Sequence, residues 1–185
     1  MQAIRRLFGG TRPAVERGRR LYAAASAQAR QPAFYAEAGV PDTPTGRFEL
    51  YTLHVVLVLH RLKGQGTEAA ETAQALFDAY VKSLDHALRE LGVGDLSVGK
   101  KMRRLGEAIY GRVKNYDDAF GQLPETQALE ALIGRTVFAG VDGGDVRGLT
   151  GYAAAAVAAL AAQPLEQIYG AAPAWPALVT AGGTR

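Results

Sequence analysis

Residues 88–112 read LRELGVGDLSVGKKMRRLGEAIYGR, two helical patterns with a glycine-punctuated turn between them. Going back from the turn, Phe77, Val81, Leu84, Leu88 and Leu91 recur at spacings of four and three, which places them on one stripe of a helix. Going forward, Val98, Met102, Leu105, Ile109, Val113 and Tyr116 do the same. Gly92 stands where a C-terminal helix glycine belongs, and either Asp95 or Ser97 caps the helix that follows. The two stripes are expected to close on each other as a long antiparallel hairpin, Leu88 near Met102 and Leu84 near Leu105.

The helical pattern continues on both sides of the hairpin. Pro13 suits the first turn of a helix running to about Arg30, and a short helix through Phe34 to Ala38 ends at Gly39. From Arg47 to Lys63 the pattern is apolar on two sides: Tyr51, Val55, Val58, Leu59 and Leu62 on one, Leu50, Leu53 and Leu57 on the other. A helix apolar all round is a buried one, so this segment is expected at the centre. Gly64-Gln65-Gly66 ends it, and the first helix of the hairpin starts at Gly66 or Thr67. After the hairpin, Pro124-Glu125 open a shorter helix stopping near Gly134, and Asp145 caps an alanine-rich helix that ends before Pro164. The expected fold is all-α, a single-domain bundle of about seven helices over residues 13–168, between a flexible basic arm (1–12) and a disordered tail (169–185).

Composition removes several chemistries. With no cysteine there is no disulfide, thiolate metal site or cysteine nucleophile. His54, His60 and His86 do not make a metal set, because His54 and His60 lie roughly 120° apart on their helix; a buried, hydrogen-bonded His54 is expected instead, with Arg61 on its face of the helix. No metal and no cofactor are expected, and no nucleophile and base stand out, so the chain reads as a non-enzyme. The net charge of +3 is uneven: residues 1–30 carry seven arginines against one glutamate, a net of +6, leaving −3 for the remainder. Either this arginine-rich start is a solvated face, or it touches an anionic surface, membrane or RNA; at a membrane Ile4, Leu7 and Phe8 insert while Arg5 and Arg6 meet headgroups. With neither a signal-peptide pattern nor an apolar run of about 20 residues, the expected location is cytoplasmic, peripheral on the inner face of the inner membrane.

Around the turn the charges sort by helical position. Lys101 and Arg112, eleven residues or three turns apart, share a row beside the apolar stripe, and Asp85, Glu90 and Asp95 are their expected partners. With Arg89, Gly92 and Gly94 these residues are expected to set the hairpin's geometry. Lys100, Arg103 and Arg104 fall on the polar side with Glu107, where they are either a solvated face or a contact for a client or a phosphate. A DNA-binding helix-turn-helix is disfavoured: the turn is about six residues long, the stripes ask for near-antiparallel helices, and Glu107 interrupts the basic face. Val93 and Leu96 either plug the end of the hairpin or, with Asp95 between them and Tyr110 at the edge of the stripe, receive a partner.

The wording of this region carries a resemblance. Arg89-Glu90-Leu91-Gly92-Val93-Gly94-Asp95, Val98-Gly99-Lys100-Lys101-Met102 and Tyr110-Gly111-Arg112 resemble the ubiquinol–cytochrome c chaperone family, as do Phe77-Asp78, Leu84-Asp85 and the run from Leu53-His54-Val55 to Leu59-His60-Arg61-Leu62. The resemblance spans roughly residues 30 to 165 and implies an α-helical, non-enzymatic assembly factor for ubiquinol–cytochrome c reductase, in the form of a shorter bacterial member. It further implies newly made cytochrome b, or its nascent chain, as the client, with a second assembly factor as a further partner. The competing reading is a lipid or quinone carrier with its ligand inside the bundle. An exposed apolar groove over a closed core separates the first from the second, which needs an internal tunnel.

Overall fold

The computed structural model describes residues 12–90, 95–141, 143–170 and 172–179, with backbone alone for 95–101. Ile4, Arg5, Arg6, Leu7, Phe8, Gly92, Val93 and Gly94 lie outside the described residues, as do the side chains of Asp95, Leu96, Lys100 and Lys101. The described residues form eight helices and no strand: α1 (Arg12–Ala29), α2 (Pro32–Ala36), α3 (Pro44–Leu62), α4 (Thr67–Glu90), α5 (Asp95–Phe120), α6 (Gln127–Thr136), α7 (Val146–Ala162) and α8 (Leu165–Gly170). The fold is the expected all-α bundle. One short helix, α8, was not anticipated, because Pro164 reads as a stop whereas it serves here as the entry to a new turn, with Gln167 and Ile168 bonding back to its carbonyl.

Local chemistry sets the boundaries. At α3, the Thr43 side chain accepts from the Gly46 amide and Pro44 takes the first helical position, so the helix begins three residues before Arg47. At α7, the Asp145 side chain accepts from the Gly148 amide, as expected of a cap. Gly64 and Gly66 carry positive φ (73° and 93°) in the tight α3–α4 connection, which a side chain would strain.

α3 is the axis of the bundle. It packs against α1, α4, α5 and α7, while α6 bridges α5 and α7 and α8 rests on α1. Its residues feed two cores: Leu50, Leu53, Val56 and Leu57 join Phe34, Tyr116, Leu132 and Leu160, whereas Val55, Val58 and Leu62 join Leu21, Leu76, Tyr80 and Ile109. Each fully buried leucine, valine or isoleucine contributes about 1.5–3 kcal/mol, so this one helix organises much of the stability. α1 and α4 approach closely at Gly18, where a Cβ would stand 2.5 Å from the Ala75 backbone.

Residues 172–179, which the sequence places in a disordered tail, instead pack against the bundle without forming helix or strand. The Gln163 side chain grips Ala174 twice, accepting its amide at 2.8 Å and donating to its carbonyl at 2.9 Å. Trp175 packs against both cores and meets the His54 ring edge-on at 5.4 Å. Prolines and small residues look like linker in a sequence, but one tryptophan supplies enough apolar surface to hold them down.

Candidate functional site

Between α3, α4 and α5 the bundle leaves an open apolar cleft of about 500 Å³. Its floor is Val56, Leu59 and Leu62 of α3; its walls are Ala70, Ala73 and Phe77 of α4 and Tyr110 and Val113 of α5. Val56 and Leu62 are buried and belong to the core. Phe77 and Tyr110 pack against each other at its edge, tilted with ring centres 5.6 Å apart, and Tyr110 is 68% exposed. An aromatic residue this exposed, next to others half-buried around a cleft, marks apolar surface left over once the core is filled.

The cleft lies beside the first half of α4, at the foot of the hairpin and away from its turn. The first half of α4 seats Ala69, Thr72, Ala75, Leu76 and Tyr80 in the core, but none of its residues from 81 to 90 is buried. Leu84, Leu88, Met102 and Leu105, which the stripes predict as tight partners, are only partly buried. Leu84 and Leu105 pack against the second core without being sealed by it.

One end of the cleft is polar. Asp117 accepts from His60 Nδ1 at 2.8 Å and from Lys63 Nζ through its other oxygen. Partial burial pushes the Asp117 carboxyl up, but the bonds from Lys63 and His60 more than offset this and hold it below the usual aspartate value. The His60 ring meets Phe120 edge-on at 5.2 Å. No group of three or more metal-binding side chains occurs among the described residues.

Arg112 corrects the expected hairpin pairing. It meets neither Asp85 nor Glu90; it forms a two-pronged pair with Glu49 of α3, Nε to Oε2 at 2.8 Å and an amino group to Oε1 at 2.7 Å. Glu49 is only 4% exposed. The Glu49 bonds raise Arg112 above the ordinary arginine value. A helix that leaves one neighbour for another changes what each of its rows faces, and at Arg112 that neighbour is α3. Asp85 bonds Arg89 one turn away at 2.8 Å, and Glu90 is exposed at the end of α4. Arg103 and Arg104 are exposed on α5.

On the opposite side of α3 lies a sealed polar core. The Leu50 carbonyl can only accept, so His54 Nδ1 carries the proton at 2.8 Å; Nε2 then accepts from the Tyr152 hydroxyl at 2.9 Å, and that oxygen accepts from Gln28 at 3.1 Å. Complete burial pulls His54 down to about 4, so the ring is neutral. Arg61, seven residues on and on the same face of α3, donates to the Leu160 and Gln163 carbonyls, closing the C-terminal end of α7.

Of the sequence candidates for client contact, Tyr110 lies in the cleft, and Arg103 and Arg104 are on the outer surface of the same helix. Sequence reading placed Phe77, Leu59 and Val113 among core positions; half-burial is not encoded in periodicity. Lys63 and Asp117, 54 positions apart, gave no sequence signal of their meeting.

Comparison with known proteins places this architecture. No curated relative matches the chain. Among solved structures, the Cbp3 homolog from Brucella abortus is 34% identical, with a TM-score of 0.79 over 96% of each chain. The family model for ubiquinol-cytochrome C chaperone matches residues 36–175, three-quarters of the chain and all of α3 to α8, cleft included. The chain therefore belongs to the ubiquinol-cytochrome C chaperone family.

Proposed function

We propose that the α3–α4–α5 cleft holds an apolar segment of newly made cytochrome b while ubiquinol–cytochrome c reductase is assembled. The observation that carries this reading is the open apolar cleft with Tyr110 exposed at its edge, in a member of a family of chaperones for that complex. A helical segment laid into the cleft would bury Tyr110, Phe77 and Leu59 against its own apolar face. The His60–Asp117–Lys63 end would meet a polar flank. Binding and release suffice for this role, so no catalysis is invoked.

The open shape favours a chaperone over a carrier, because a lipid or quinone carrier encloses most of its ligand's surface. A second assembly factor and an anionic membrane surface, met by the N-terminal arm on the cytoplasmic side of the inner membrane, belong to the same proposal as partners. No helix among the described residues is long and apolar enough to cross a membrane.

The test is Tyr110→Asp in cells. A charge on a side chain already 68% exposed costs the fold little, yet in a dry client interface it costs several kcal/mol. The expected result is a folded, normally expressed protein with reduced spectroscopic cytochrome b. Normal cytochrome b would rule out the cleft as the client site.

A further inference from the structure

A second recess, of about 600 Å³, lies where the end of α1, α2 and the start of α3 meet, away from the cleft. It is lined by Arg30, Tyr35, Asp42, Arg47 and Tyr51, and its chemistry differs from that of the cleft. Arg30 spends its Nε on the Tyr51 hydroxyl at 2.9 Å, with its guanidinium 5.6 Å from the Tyr51 ring centre. Its terminal amino groups have no acid partner among the described residues. Tyr51, having accepted from Arg30, keeps its own O–H proton to donate. Arg47 gives its Nε to Asp42 and retains its terminal donors. Tyr35 is already committed, donating to the Ala29 carbonyl at 2.9 Å.

Unspent groups in this recess are therefore mostly donors, and two guanidinium charges face one carboxylate. Arg30 stands just past the end of α1, and Arg47 and Tyr51 lie in the first half of α3. A single planar carboxylate would use one guanidinium fork; two forks and a hydroxyl suit an anion with three or more terminal oxygens. We infer that this recess binds a phosphate-type oxyanion, with Arg30, Arg47 and Tyr51 as the donors. Phosphate of this kind can come from a lipid headgroup or from a free phosphate. Asp42 opposes the anion and tempers its affinity. The inference does not depend on what the cleft holds.

The experiment follows the arginine Nε–H signals of the full chain by nuclear magnetic resonance as inorganic phosphate replaces chloride at constant ionic strength. Saturable shifts at Arg30 and Arg47 are expected, with exposed Arg103 and Arg104 as internal controls. Arg30→Gln should weaken phosphate binding about tenfold, the size of one charge-assisted contact. Asp42→Asn should strengthen it several-fold, an effect that a purely structural Asp42–Arg47 pair does not produce. Thermal melts confirm that both variants fold. Vesicles containing phosphatidylglycerol identify the source: binding weakened by Arg30→Gln points to a headgroup, and unchanged vesicle binding beside a weakened phosphate response points to a soluble phosphate. Shifts at Arg30 no larger than those at Arg103, or an Asp42→Asn variant with unaltered affinity, would overturn the inference.

Discussion

The two sides of α3 are built from the same residue types and end in opposite states. Towards α6 and α7, Leu50, Leu53 and Leu57 are at most 1% exposed, and even the polar His54 is sealed, hydrogen-bonded at both nitrogens and covered by Trp175. Between the first half of α4 and the second half of α5, Leu59 is only half-covered and the cleft opens beside it. Composition does not make this difference; the neighbours do. α7 and segment 172–179 cover one side fully, whereas beside Leu59 the helices α4 and α5 present Ala70, Ala73 and Val113 without closing over it. A polar group can be buried where every partner is supplied, and apolar surface stays open where a partner has yet to arrive.

If that contrast is right, substitutions on the packed side should strike stability, and those in the cleft should spare it. The largest effect is expected at the buried pair. Arg112→Ala strands the Glu49 carboxylate, and a loss of about 3–5 kcal/mol is expected by chemical denaturation. Arg112→Met combined with Glu49→Leu should recover much of that loss, because it removes the stranded charge as well. A single variant with unchanged stability would mean that Glu49 reaches water.

The next effect is in pH. His54 is held at about 4 in the folded chain against 6.5 when free, so between those values the unfolded chain binds more protons. Its contribution is fully present above pH 6.5 and is lost as pH falls towards 4, on the order of 3 kcal/mol across that window. His54→Gln should lower stability at neutral pH and flatten this part of the pH profile. An equally steep profile in the variant would assign the acid sensitivity to other groups.

These predictions also show what the sequence could carry. The period of three and four placed the helices, the doubled apolar face of α3 marked the centre, and Asp145 and the Gly64–Gly66 turn set boundaries within a few residues, whereas the Thr43 cap, which starts α3 three residues ahead of the expected Arg47, went unread. What it could not carry was which neighbour a row meets: Arg112 lies in the expected row but pairs with Glu49, 63 positions earlier. Nor does period distinguish a stripe closed by a core from one half-open, as at Leu84 and Leu105. The chemistry of the cleft's polar end depends on contacts between α3 and α5 that no local pattern announces.

The smallest stability effects are expected at the cleft. Tyr110→Asp and Phe77→Ser, the second removing a partly covered ring, should cost less than Arg112→Ala, the former by no more than about 0.5 kcal/mol. Val93→Asp, in the turn outside the described residues, sharpens the contrast between cleft and turn: if the cleft alone receives the client, it should leave cytochrome b at a normal level. A fall in cytochrome b with Val93→Asp and not with Tyr110→Asp would move the client site to the turn.

The most direct measurement is photocrosslinking in cells from a reactive residue placed at position 110 or 59, with position 155 on the exposed face of α7 as the control. Crosslinks to cytochrome b from 110 and 59, mapped by mass spectrometry to an apolar segment and absent from 155, are predicted. Cytochrome b captured from 155 and from neither cleft position would contradict the assignment of the cleft.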